Sequence, residues 1–219
     1  MDMSIRSSRT YRHVLVLIAL MLLIAGCGSK DSAVSVPGGK PDSDPDKTIS
    51  WDRMPQMSID LDKQYKANIK TNKGEFVVEL HAKAAPVTVN NFVFLSNEGF
   101  YEGLKFHSVI ESFMIQTGDP KGNGTGNAGY RIPDELNSEF IYEEGTVAMF
   151  NTGSPNSGSS QFFICTGPEA SNLNRQPNYT IFGKVVSGLD TVRHIASSEV
   201  QNGSPIEDIV IESITIEAA

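Results

Sequence analysis

The sequence predicts a mainly β domain, built as a closed antiparallel barrel or a sandwich and carrying two short helices. Three observations point there. Short runs rich in β-branched and aromatic residues recur at close spacing from Tyr65 onward. Nineteen Gly and 11 Pro supply turns between them and argue against a long helical bundle. With 39% hydrophobic and 20% charged residues, the 219-residue chain has the composition of a globular core.

Before that domain comes an address. Arg6, Arg9 and Arg12 precede an uninterrupted apolar stretch from Val14 to Ala25. As a helix this stretch rises only about 18 Å, short of a hydrocarbon core of about 30 Å. The basic flank, the short apolar run and the small residues Ala25 and Gly26 have the form of a secretory signal over residues 1–26. Ile24-Ala25-Gly26-Cys27 resembles the bacterial lipobox. That resemblance implies a lipid-modified Cys27 as the new N-terminus, and an extracytoplasmic protein anchored to the bacterial membrane. Stable anchoring takes more than one acyl chain.

Removing residues 1–26 takes three Arg and one Asp from 18 basic and 26 acidic residues. That leaves 15 and 25, a net −10 over 193 residues against −8 for the whole chain. With Cys27 lipidated, Cys165 is the only free thiol and no intrachain disulfide forms. From Gly28 to about Ser58 the chain is rich in Ser, Gly, Pro and Asp and has no sustained period. Residues 27–63 are therefore expected to be the lipidated cysteine and a flexible tether. Trp51, the only tryptophan, falls in this unpatterned stretch and is not assigned to the core.

The folded domain is expected over 64–219. Tyr65, Ala67, Ile69 and Thr71 alternate with polar residues, as do Phe76, Val78 and Leu80 after Asn72-Lys73-Gly74, which predicts a hairpin. Pro86 suits the first turn of a helix, with Val89, Phe92 and Val93 on one face and Gly99 as its stop. Strand-like runs follow at 104–110, 113–117, 146–150, 161–165 and 179–186, then a second short helix at 190–197. Ile209-Val210-Ile211 and Ile214-Thr215-Ile216 close the chain, and the slip in phase between them predicts a bulge.

Several functions are set aside. The acidic balance argues against phosphate-backbone binding, so no nucleic-acid partner is expected. Two cysteines do not supply a four-ligand zinc site, and His13, His81, His107 and His194 lack ligand spacing, so neither metal nor cofactor is expected. Gly124-Thr125-Gly126-Asn127-Ala128-Gly129 matches the dinucleotide fingerprint as a string. Pro133 follows too soon for the long helix that fingerprint needs, so the stretch is read as a glycine-rich loop. The serines from Ser154 to Ser160 contain no nucleophile elbow. His107 is read as a structural histidine rather than a base.

The informative segments are Phe106-His107-Ser108-Val109-Ile110-Glu111-Ser112-Phe113-Met114-Ile115-Gln116-Thr117-Gly118-Asp119 and Ser159-Ser160-Gln161-Phe162-Phe163-Ile164-Cys165-Thr166. With Gly122 to Gly126, Met149-Phe150-Asn151 and Tyr179 to Gly183, they resemble the cyclophilin family of peptidyl-prolyl cis-trans isomerases, from about Gln64 to the C-terminus. The resemblance implies a closed eight-stranded antiparallel barrel capped by two α-helices. It implies proline-containing peptide segments as partners, and a monomer. It places Phe113, Met114, Phe163 and Leu173 around a proline ring, Gln116 and Gln161 at polar positions, Asn151 on the substrate backbone, and Phe150 and Tyr179 at the rim. Phe113, Gln116, Ser108 and Asn151 would then be the catalytic set, with Met114, Phe150, Gln161, Phe163, Leu173 and Tyr179 binding substrate.

This chain departs from the family where it matters. Ser108 stands where active relatives carry an arginine, Asn172 replaces a bulky rim residue, and Phe150 is larger than the usual small one. Losing one fixed electrostatic donor commonly lowers a rate by about 10²–10³. Two readings follow from Ser108. One is an isomerase of reduced activity that accelerates folding of exported proteins at the membrane surface. The other is a non-catalytic module that binds proline-containing segments with the same pocket.

Overall fold

In the computed structural model, residues 49–136 and 139–219 are described. The expected signal peptide, the lipidated Cys27 and the tether up to residue 48 lie outside them.

Alternation of apolar and polar residues gives the first hairpin as expected. β1 (Tyr65–Thr71) and β2 (Gly74–Leu80) pair antiparallel about Asn72 and Lys73. Six further strands complete the main sheet: β3 (Ser108–Ile110), β4 (Met114–Thr117), β5 (Thr146–Met149), β6 (Phe162–Cys165), β7 (Ile181–Ser187) and β10 (Ile211–Ala218). Their order is β10-β1-β2-β7-β5-β6-β4-β3, antiparallel at every step. A small hairpin, β8 (Val200–Gln201) and β9 (Ser204–Pro205), stands apart. Against β1 the register jumps from Lys70↔Ser213 to Thr71↔Ile211, so Glu212 is the extra residue of the expected bulge.

The expectation of a closed barrel is corrected. The sheet curls into a half-barrel whose edge strands β3 and β10 do not pair. One isolated bridge, Lys105↔Val210, reaches across that gap, flanked by Phe106 N–H to Ile209 O at 2.9 Å. The stretch 104–107, expected as strand, meets its partner only there, and β3 begins at Ser108.

Two helices pack on this sheet. α1 (Pro86–Asn97) starts at its proline and is followed by Gly99 at φ 70. Its N-cap position is Ala85, which offers no side-chain acceptor. The carboxylate of Glu135 takes that place, accepting from Val87 N at 2.9 Å and from Thr88 N and Oγ1 at 2.8 Å each. Glu135 in turn donates its own N–H to Thr180 Oγ1 at 2.8 Å. α2 (Leu189–Ala196) buries Val192, Ile195 and Ala196. Phe92 of α1 meets Phe162 and Phe182 of the sheet at ring distances of 5.4 and 5.3 Å, which centres the main core.

The expected tether is corrected over its described part. Trp51 is 5% exposed, lies edge-on to Phe94 at 5.2 Å and donates its backbone N–H to Ala128 O at 2.9 Å. Its carbonyl passes so close to Gly129, at φ 95, that any side chain there would collide with it. Downstream, Asn90 Oδ1 accepts from Ser58 N at 2.8 Å and Tyr65 Oη accepts from Asp60 N at 2.8 Å. Isolated anchors of this kind leave no periodic trace, which is why the composition suggests a linker.

Candidate functional site

Strand periodicity divides the sheet's residues between two faces. In β6, Phe162 and Ile164 point into the main core, while Phe163 and Cys165 join a second cluster on the other face. In β4, Ile115 enters the core and Met114 joins the second cluster. Register then carries one row across the sheet: Ser108 opposite Gln116, Gln116 opposite Phe163, Phe163 opposite Ala148, and Ala148 opposite Ile181. Directly opposed residues share a face, so this row forms a continuous floor.

Around that floor stand Phe113, Met114, Phe150, Leu173 and Tyr179, all part-buried and packed against Phe163 and its neighbours. Leu173 arrives on the 3-10 helix Pro168–Arg175, an element the sequence pattern does not announce. Tyr179 lies edge-on to Phe163 at 5.2 Å and nearly parallel to Phe150 at 6.5 Å. Its backbone is held by Tyr142, whose hydroxyl donates to Tyr179 O at 2.6 Å and accepts from Tyr179 N at 3.0 Å. Burial pushes that hydroxyl's pKa up to about 12, so it stays protonated at neutral pH.

The polar side of the site is a chain of amides. Gln116 Nε2 donates to Gln161 Oε1 at 2.8 Å, and Gln161 Nε2 donates to Gly126 O at 2.8 Å and Gly124 O at 3.2 Å. Both glutamines are about 5% exposed. The glycine-rich loop beyond them is wound round the buried Asp119 carboxylate, which accepts from Lys121 N at 2.8 Å, Asn123 N at 2.9 Å and Gly124 N. A side chain at Gly126 would run into that carboxylate. The loop thus shapes one wall of the site, and no helix opens after it.

Asn151 follows β5 at the edge of the site. Its side-chain Nδ2 donates to Asn178 O at 2.8 Å and its Oδ1 accepts from Gly153 N at 3.0 Å. The side chain braces its own turn, and its main-chain N–H and C=O take no hydrogen bond among the described residues.

Among the described residues no strong nucleophile faces this surface. Cys165 is fully buried in the second cluster, and burial pushes its thiol pKa up to about 12. His107 is half-buried, its pKa lowered chiefly by desolvation, and its Nδ1 has no partner among the described residues. It is therefore neutral at pH 7 and contributes no charge beside Ser108.

The sequence and the fold have counterparts. Residues 66–216 match the family model "Cyclophilin type peptidyl-prolyl cis-trans isomerase/CLD". Peptidyl-prolyl cis-trans isomerase B of Streptomyces anulatus is 38% identical over 174 residues, covering 70% of this chain and 97% of that protein. The peptidyl-prolyl cis-trans isomerase of Helicobacter pylori is 40% identical over 157 residues, covering 70% and 91%. Among solved structures, the cyclophilin type isomerase of Cryptosporidium parvum superposes with a TM-score of 0.66 at 33% identity, over 70% of this chain and 98% of that one. A second structure of that protein, in the presence of the dipeptide Ala-Pro, gives 0.65 at 34% identity, over 69% and 98%. The chain belongs to the cyclophilin-type peptidyl-prolyl cis-trans isomerases and is an enzyme of that class.

Proposed function

We propose that this chain turns X-Pro bonds in exported proteins at a membrane surface, at a rate held down by Ser108. The observation that carries the reading is the row Ser108–Gln116–Phe163, ringed by apolar side chains. An X-Pro amide rotates over a barrier of about 18–20 kcal/mol without breaking any bond. A catalyst needs only to hold the ring and favour the twisted amide, in which the nitrogen becomes a better acceptor. Phe113, Met114, Phe163 and Leu173 grip the ring from below and beside. Phe150 and Tyr179 close the rim. Gln116, its amide aligned by Gln161, faces the substrate carbonyl, and the main-chain groups of Asn151 receive the peptide backbone.

Ser108 brings one hydroxyl and no charge to the position where the resemblance expects a guanidinium. Electrostatic help at the transition state is correspondingly weak, and turnover is low. Coupled proteolysis of an X-Pro peptide tests this: low but measurable activity, rising at least about tenfold in Ser108→Arg, supports the reading. Turnover no better than buffer, with peptide binding intact, replaces it with a proline-segment binding module.

The surface location rests on the lipobox at Cys27. Cys27→Ser is expected to move the protein from the membrane to the soluble fraction. Retention in the membrane would refute the anchor.

A further inference from the structure

The described chain begins beside the site. Trp51 donates its backbone N–H to Ala128 O at 2.9 Å, and Ser50 and Trp51 lie against Gly129. Ile49, one residue further out, is exposed. Gly129 is three residues from Gly126, at most about 11 Å along the backbone. Gly126 O accepts from Gln161 at 2.8 Å, Gln161 Oε1 accepts from Gln116 at 2.8 Å, and Gln116 stands opposite Phe163 in the sheet. Whatever precedes Ile49 is therefore delivered to the wall of the proline floor.

What precedes Ile49 carries prolines of its own. Val36-Pro37-Gly38-Gly39-Lys40-Pro41-Asp42 holds two X-Pro bonds, and Asp44-Pro45 is a third. Pro41 and Pro37 stand eight and twelve residues before Ile49. Fully extended, those lengths reach about 28 and 42 Å, ample for the path along the loop to Phe163. Pro45, four residues out, reaches only about 14 Å. The floor offers what such a segment needs. Apolar side chains surround Phe163, and the main-chain groups of Asn151 take no hydrogen bond among the described residues.

We infer that the segment 36–42 is a resident ligand of the proline floor in the same molecule, seated through Pro37 or Pro41. The inference rests on family membership for the chemistry of the floor, and on neither Ser108 nor the membrane anchor. A short connection holds a ligand at an effective concentration on the order of millimolar, enough for a weak X-Pro segment to compete. Client peptides then enter by displacing the chain's own prolines.

The test compares the soluble Cys27→Ser protein with the same protein carrying Pro37→Ala and Pro41→Ala together. Backbone amide resonances of Gln116, Asn151 and Phe163 should differ between the two, equally in dilute and in concentrated samples. A synthetic peptide of residues 34–44, added to the variant, should move those resonances back toward their parent positions. In the variant, kcat/KM for an added X-Pro peptide should rise about twofold with kcat unchanged, as on removal of a competitor whose Kd matches its effective concentration. Pro45→Ala should match the parent in both measurements. The resonances report occupancy whether or not the protein turns over substrate, so a failed isomerase reading would not be mistaken for failure of this one. Coincident resonances in parent and variant overturn the inference. So do differences that grow with concentration, which seat the segment on a second copy, and so does an effect of Pro45→Ala alone.

Discussion

Ser108 lies directly across the β3–β4 ladder from Gln116, so the two side chains rise from the same face as neighbours. A longer side chain at 108 would therefore act beside the Gln116 amide and not independently of it. The gain from Ser108→Arg is expected to shrink when combined with Gln116→Ala, with a coupling of about 1 kcal/mol in a double-mutant cycle on kcat/KM. Additive effects would place the new guanidinium elsewhere.

Gln161 ties a sheet residue to a loop. Gln161→Leu would strand the Gln116 amide and two loop carbonyls in a buried place. A loss of about 1–3 kcal/mol in urea unfolding is expected, with faster hydrogen exchange in residues 121–126. Unchanged stability would mean that the amide chain is not a structural tie.

Trp51 anchors the segment that precedes β1. Trp51→Ala removes a buried ring from contact with Phe94 and Phe100 and should cost about 3–5 kcal/mol. As the sole tryptophan, Trp51 also reports on itself: native emission should shift to the red on unfolding. A red-shifted native spectrum would contradict its burial.

Acid should weaken the fold in two stages. Burial lowers the pKa of both His81 and His107 from the ordinary 6.5. The unfolded chain then binds protons more readily than the native one, so their contribution is complete above pH 6.5 and falls away as pH drops through their native values. Glu144 has its pKa lowered from 4.5 first by its hydrogen bond from Arg193, and its share is lost at lower pH still. Urea midpoints measured from pH 8 to 4 should decline from about pH 6.5 downward, and His107→Gln should flatten the upper part. A midpoint flat down to pH 5 would argue against both histidines.

Cys165 should be chemically silent. In Cys27→Ser protein, a thiol reagent at pH 8 should label nothing until denaturant is added, because burial keeps the thiol protonated and out of reach. Rapid labelling of native protein would show that the second cluster opens.

Strand and site were legible in the sequence to different depths. The β1–β2 hairpin, α1 and the bulge at Glu212 follow from alternation, Pro86 and a phase slip, all local signals. Closure of the sheet was not legible, since pairing between the segment before Ser108 and Ile209–Val210 depends on how far the sheet curls. The grouping of Phe113, Met114 and Phe163 was visible only through resemblance, because their apolar character alone suits a core equally well. The side chain of Asn151 turned inward for a partner, Asn178, that lies in an irregular loop with no pattern to read.

The first turn of α1 is finished by Glu135, and Glu135 is itself steadied by Thr180. A nascent chain thus carries an open helix end until much later residues emerge. Fragments ending before residue 135 should hold that turn poorly, and amide protons at Val87 and Thr88 become late markers of maturation. For this prolyl isomerase, the order of its own assembly is written into one borrowed carboxylate.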